Sequence, residues 1–187
     1  MRFRLIARER GTLMSSMSLT RRVFLASAAG VPCLAGTRMA MAALPQPAGK
    51  IILSIEGKIS VTNAEGMARF DRPMLENLGL TSFTTTTPWY DSQVTFEGVR
   101  LDHLMDVVGA SGEQLSVKAL NDYTTEIPIA DFARYRAILA LRRDGAYMPV
   151  KDKGPLFIVY PFDSDPELKH QRFYSRSAWQ VARMTVT

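Results

Sequence analysis

From Lys50 to the C-terminus, apolar positions come in short runs separated by Gly, Pro, Asn and Asp, with no long helical stripe and no internal repeat. Lys50 to Asn63 (KIILSIEGKISVTN) reads as two strands broken at Glu56-Gly57. Asn63 and Asp71 suit helix caps, and Met74 to Leu78 forms a helical turn that Gly79 closes. Leu80 to Trp89 (LTSFTTTTPW) is threonine-rich and favours strand, and Val94 to Val99 leads into a helix over Leu101 to Val108. In that helix Leu101, Leu104, Met105 and Val108 share one face, His103 takes the polar side, and Gly109 ends it.

Strands are expected at Leu115 to Leu120 and at Tyr123 to Ile127, then a short helical turn over Ile129 to Tyr135 with Asp131 in its first turn. Ala137 to Leu141 and Ala146 to Val150 flank Arg142-Arg143-Asp144-Gly145, whose Asp-Gly pair signals a hairpin. The longest apolar run, Leu156 to Tyr160, suits a strand buried on both faces, and Pro161 ends it because it cannot donate to a ladder. A polar loop over Asp163 to Phe173 follows, in which Asp163 and Asp165 cap or solvate, and the chain re-enters a strand over Tyr174 to Trp179. Many short strands and a few short helices define an α+β domain with mixed sheets around a single core.

Charge changes the picture only once it is divided. Residues 1–42 carry seven arginines and one acid, Glu9, so of the chain's 23 basic and 18 acidic residues, positions 43–187 hold 16 and 17. The net charge of +5 therefore belongs to the leader, and the rest of the chain has no cationic excess to neutralise nucleic-acid phosphates. The leader has the twin-arginine pattern Thr20-Arg21-Arg22-Val23-Phe24-Leu25, an apolar run from Val23 to Gly36, and the small-x-small site Ala40-Met41-Ala42. The run is shorter than the roughly 20 residues a membrane span needs. Residues 1–42 are thus expected to be a twin-arginine signal peptide cleaved near Ala43, which delivers residues 43–187 to the periplasm without membrane insertion. Met14 and Met17 are alternative starts.

The chain's one cysteine, Cys33, lies in the leader, so the exported part has no disulfide, no thiolate ligand and no thiol nucleophile. Its two histidines, His103 and His170, lie far apart in sequence, and no metal site is expected from them. The sequence also lacks a nucleophilic triad, a carboxylate pair with an assignable role and a phosphate-cradling glycine loop, so no catalytic residue is assigned. What remains is a buried strand emptying into a polar loop, with Arg, Ser, Tyr and Trp at the return. Such an arrangement suits a planar polar ligand, with aromatics for its faces and hydroxyls and a guanidinium for its edges.

Phe96 to Gly109 (FEGVRLDHLMDVVG), Ser116 to Pro128 (SVKALNDYTTEIP), the Asp144-Gly145 turn and Gly154 to Pro161 (GPLFIVYP) together resemble the sulfite-oxidase, or molybdopterin-dependent oxidoreductase, domain. The resemblance runs from about Lys50 to the C-terminus. In that family's enzymes a cysteine just upstream of the FEGV-like segment ligates molybdenum. Here Thr84-Thr85-Thr86-Thr87-Pro88-Trp89 occupies the region, and a hydroxyl substitutes poorly for a thiolate at such a centre.

The segments TTTPW, ALNDY, GPLFIVYP and RSAWQ are more similar to a smaller, cysteine-less branch of periplasmic pterin-binding proteins. That resemblance implies binding of a reduced pterin of the tetrahydropterin type without molybdenum. It also implies regulation of an inner-membrane cyclic-di-GMP enzyme, a diguanylate cyclase or phosphodiesterase, through that enzyme's periplasmic domain. The competing expectation is a molybdopterin-dependent oxidoreductase with a non-cysteine metal site.

A pterin needs aromatic faces, acceptors for its amino and ring N–H groups, and a donor for its carbonyl. Trp179 is the first candidate for the stacking face, followed by Trp89 and Tyr174. Asp122, with Tyr123 beside it, is the candidate edge acceptor. Arg176 and Ser177 fall where the resemblance places the pterin and its phosphate.

Overall fold

A computed structural model describes residues 43–187; the expected signal peptide lies outside the described residues. The fold is α+β, with ten strands and four short helices among the described residues. In chain order they are β1 (Leu53–Gly57), β2 (Met67–Phe70), α1 (Arg72–Asn77), β3 (Thr81–Thr87), β4 (Tyr90–Arg100), α2 (Leu101–Val107), β5 (Gln114–Ala119), β6 (Thr124–Pro128), α3 (Ala130–Tyr135), β7 (Ile138–Arg143), β8 (Ala146–Tyr147), β9 (Phe157–Val159), α4 (Gln171–Arg176) and β10 (Val181–Val186).

Two sheets share them. One runs β2-β1-β10-β5-β6, with β1 and β10 parallel; the other runs β3-β4-β7-β8, with β9 on β7. Strands of the first sheet alternate buried and exposed positions, so one face of that sheet is solvated. All three residues of β9 and the first four of β7 are buried, as the continuous apolar runs require. A single core joins the sheets: Leu53, Ile55 and Val117 from the first meet Phe96, Val99 and Leu139 from the second, with Leu101, Leu104 and Met105 of α2.

Several local details follow from residue type. The turn between β7 and β8 places Asp144 at φ 50 and Gly145 at φ 80, the left-handed pair of a two-residue hairpin. At Gly98 a side chain would meet the Leu139 carbonyl oxygen at 2.1 Å, so β4 can approach β7 this closely only with glycine there. Asp71 caps α1 by accepting from the Met74 amide at 3.0 Å, and it also accepts from Ala48 and Gly49 at 2.9 and 2.7 Å. These bonds tie the chain's entry to the domain, and they hold the Asp71 carboxyl below the usual carboxylate range against the opposing effect of burial.

Some elements differ from the expectations. No strand follows Gly57 at Lys58 to Asn63. The Ser60 and Val61 amides instead bond the Val108 carbonyl at the end of α2, and the second strand of the edge is Met67–Phe70. Asn63 caps no helix: its amide bonds Pro45, Arg69 and the Arg69 N–H, clamping the proline-rich lead-in. The strand expected over Ala146 to Val150 stops at Tyr147, because Pro149 has no donor and Val150–Asp152 forms a 3₁₀ turn. The polar loop contains a 3₁₀ turn at Pro166–Leu168, capped by Asp165 accepting from Glu167 at 2.8 Å.

The largest correction concerns Tyr174 to Trp179. The segment begins as helix α4, and the final strand comes later, at Val181–Val186. Six residues cannot hold a helix by propensity alone. Here the His170 ring accepts from the Arg172 amide at 3.3 Å, Phe173 is fully buried, and the Ser177 hydroxyl donates to the Phe173 carbonyl at 2.9 Å to close the end.

Candidate functional site

α4, the β3–β4 turn, the β5–β6 turn and Trp179 converge on a cavity of about 370 Å³, a size that accommodates a small planar ligand. Its wall is Trp89, Asn121, Tyr123, Gln171, Tyr174, Ser175, Ser177 and Trp179. Five of the seven residues singled out in the sequence therefore face one space: Trp89, Tyr123, Tyr174, Ser177 and Trp179. Pro88 and Trp89 form the whole turn between Thr87 and Tyr90, which carries the indole to the tip of the hairpin. There it meets Phe157, Phe162, Tyr174 and Trp179 edge-on, with ring centroids 5.4, 6.0, 6.1 and 5.7 Å away. Edge-to-face packing of this kind fixes ring orientation. Trp89 and Trp179 are half-buried, part core and part wall.

The rim is closed from the other sheet. The exposed Tyr123 reaches across to donate its hydroxyl to the Ser175 carbonyl at 2.7 Å, bridging the β5–β6 turn to α4. Gln171, Tyr174 and Ser175 fall at helical spacing i, i+3, i+4, which is why a helix, and not a strand, presents them together. Gln171 Nε2 donates to Ser175 Oγ at 3.4 Å, and Asn121 Oδ1 accepts from the Tyr123 amide at 3.2 Å. Asn121, Gln171 and Ser175 were missed in the sequence. Asn121 adjoins Asp122, and the other two become visible only once α4 is known to be helical.

Two selected residues lie elsewhere. Asp122 sits at φ 63, a left-handed turn position, and its exposed carboxylate pairs with Lys118 Nζ at 2.9 Å. That hydrogen bond lowers its pKa, and the side chain does not line the cavity. Arg176 points to the opposite side of α4. Its guanidinium donates to Asp131 Oδ2 at 2.7 Å, with side-chain exposures of 23% and 12% for the pair. The fully buried Tyr160 donates to the same oxygen at 3.3 Å. Burial pushes the Tyr160 hydroxyl far above the ordinary tyrosine range, and the Asp131 charge adds to this, so the phenol stays a donor. The helix reading explains the correction: Phe173 and Arg176 are three apart and face the core, away from Gln171, Tyr174 and Ser175.

The threonine segment is also engaged internally. Thr85 is fully buried and its hydroxyl accepts from the Asp163 amide at 3.1 Å. Asp163 accepts in turn from the Thr86 amide and hydroxyl at 2.6 and 2.7 Å and pairs with Lys169 at 2.7 Å. Lys169 first, then Thr86, hold its carboxyl far below the carboxylate range. Asp163 thus latches the loop after β9 onto β3, beside the cavity.

The fold defines a class. The family model for the oxidoreductase molybdopterin-binding domain matches residues 69–162, half of the chain, and the chain belongs to that family. Among solved structures it is similar to the sulfane dehydrogenase SoxCD from Paracoccus pantotrophus, with 17% identity and a TM-score of 0.54 over 72% of this chain and 37% of that chain. At that identity the likeness shows the sulfite-oxidase-like fold alone, and the chain spans little more than a third of the relative's length. No curated protein matches the chain.

The family's cofactor can be tested part by part against these residues. A pterin ring fits the donor set: indole and phenol faces, two neutral amides and two hydroxyls. The cysteine that the resemblance gives as the molybdenum ligand has no counterpart in residues 43–187, which contain no cysteine. For the cofactor's phosphate the wall offers only neutral donors, since it includes no lysine or arginine.

Proposed function

We propose that this chain is a ligand-binding member of its family that takes a reduced pterin, of the tetrahydropterin type, without molybdenum. In this reading it is a periplasmic sensor, exported by the twin-arginine route, and carries no catalytic residue. It regulates an inner-membrane diguanylate cyclase or phosphodiesterase by contact with that enzyme's periplasmic domain. The observation that carries the ligand half is the cavity: aromatic faces from Trp89, Trp179 and Tyr174, amide edges from Asn121 and Gln171, and no cation or thiolate in its wall. The partner half rests on the resemblance carried by the TTTPW, ALNDY, GPLFIVYP and RSAWQ segments.

In this site Trp179 and Trp89 confine the ring plane. Each amide of Asn121 and Gln171 offers both a donor and an acceptor, matching the alternating amino, N–H and carbonyl edge. Ser177, whose proton is committed to Phe173, has lone pairs left to accept. Arg176 acts by positioning α4. Calorimetric titration with anaerobic tetrahydrobiopterin tests the assignment. Wild type binds at one site; Trp179→Ala weakens binding about two- to tenfold, the equivalent of one lost stacking pair. Asp122→Asn binds as wild type. Unchanged affinity in folded Trp179→Ala, or no heat with wild type, overturns the site.

A further inference from the structure

A second concavity, of about 340 Å³, lies at the other side of the β5–β6 turn. Its floor is apolar: Ile52, Leu53, Met148, Pro155 and Val181. Its lips are apolar as well. Among the described residues five large hydrophobic side chains are exposed, and three of them, Ile51, Leu120 and Val150, line this groove. A fourth, Tyr147, lies under the Arg72 guanidinium, 4.2 Å from the ring centroid, and Arg72 also lines the groove. Exposed apolar side chains scattered singly need no explanation, but their concentration around one concavity marks a contact surface. The charged residues of the lining, Lys50 and Arg72, are both cations, and the lining has no carboxylate.

We propose that this groove docks a segment of a partner protein that inserts apolar side chains between Ile51, Leu120 and Val150 and sets carboxylates against Lys50 and Arg72. A small amphiphile lying on the floor would leave the lips in water: Leu120 and Val150 keep more than half of their surface exposed, 55% and 51%, and only a macromolecular partner covers them. Charge complementarity fixes the sign of the partner, since a cationic segment would bring like charges together at both lining positions. The groove stands independently of what the other cavity binds. The two are nonetheless joined: one turn carries Leu120 into the groove and Asn121 and Tyr123 into the ligand cavity.

The test uses the full chain in its native cell, with a photo-crosslinking phenylalanine at the exposed Val150, and at the exposed Ser111 beyond the far end of β5 as control. Mass spectrometry of the adducts reads the partner segment. The proposal predicts a protein adduct from position 150 and not from 111, mapping to apolar residues flanked by Asp or Glu. Lys50→Glu with Arg72→Glu lowers its yield about tenfold through like-charge contact, and Lys substitutions at the partner's carboxylates restore it. Lys50→Glu alone, at an exposed position, gives the same direction if the Arg72 change disturbs α1. No adduct, an adduct to lipid or to a second copy of this chain, a segment without carboxylates, or a yield indifferent to charge reversal would each overturn the proposal.

Discussion

Replacing Arg176 by methionine separates two roles that the sequence confuses. In the structure the guanidinium does not reach the cavity; it neutralises Asp131, whose carboxylate also receives the fully buried Tyr160 hydroxyl. Methionine keeps the bulk and removes the charge, leaving Asp131 at 12% side-chain exposure with one neutral donor. Breaking a buried pair from one side costs about 3–5 kcal/mol, and the Tyr160 donor with partial solvent access favours the low end, about 3 kcal/mol. For a domain of this size that is a fall in melting temperature of about 6–12 °C. Adding Asp131→Asn removes the stranded charge, so the double variant recovers part of the loss, with a coupling of about 2 kcal/mol in a double-mutant cycle. Urea and thermal melts measure the stabilities, and titration below the melting transition measures pterin affinity, expected to stay near wild type where α4 is folded. A variant with wild-type stability and abolished pterin binding would return Arg176 to the ligand and refute the buried-pair account.

Two other substitutions report on different links. Asp71→Ala removes a helix cap and the acceptor for the Ala48 and Gly49 amides, and should cost about 2 kcal/mol in a urea melt. Because the folded-state pKa of Asp71 is depressed, its contribution is complete above the unfolded carboxylate value of about 3.9 and is lost as pH falls through the folded value. The variant should therefore flatten the acid limb of the stability profile, and an unchanged limb would remove Asp71 from it. Arg21→Lys with Arg22→Lys should leave the precursor in the cytoplasm, read by cell fractionation, whereas normal export would point to another route.

What was legible in the sequence was what short-range chemistry decides. Leu101, Leu104, Met105 and Val108 repeat at helical spacing and all are buried in α2 and its cap. Asp144-Gly145 forms the hairpin its left-handed preference demands, and LFIVY is buried throughout. The aromatic wall was also legible, because Trp89 and Trp179 stand beside turn and strand-end signals. α4 was not. Its residues Gln171 to Arg176 carry adjacent aromatics that suit a strand, and part of what fixes them as a helix lies far away: Arg176 finds Asp131 45 residues earlier. Read as a strand, the segment does not show that Gln171, Tyr174 and Ser175 share one face or that Arg176 lies on the opposite one. Asp122 and Asn121 are neighbours, but a turn points adjacent side chains in different directions, and only the fold says which one faces the cavity.

The central claim is that this family member holds a pterin ring without the metal. Protein purified anaerobically from its native host, oxidised, extracted and assayed together for pterin fluorescence and molybdenum, tests it most directly. The account predicts pterin approaching one per chain with molybdenum at trace level. Molybdenum equimolar with the protein would favour the oxidoreductase and contradict the account, as would protein free of pterin.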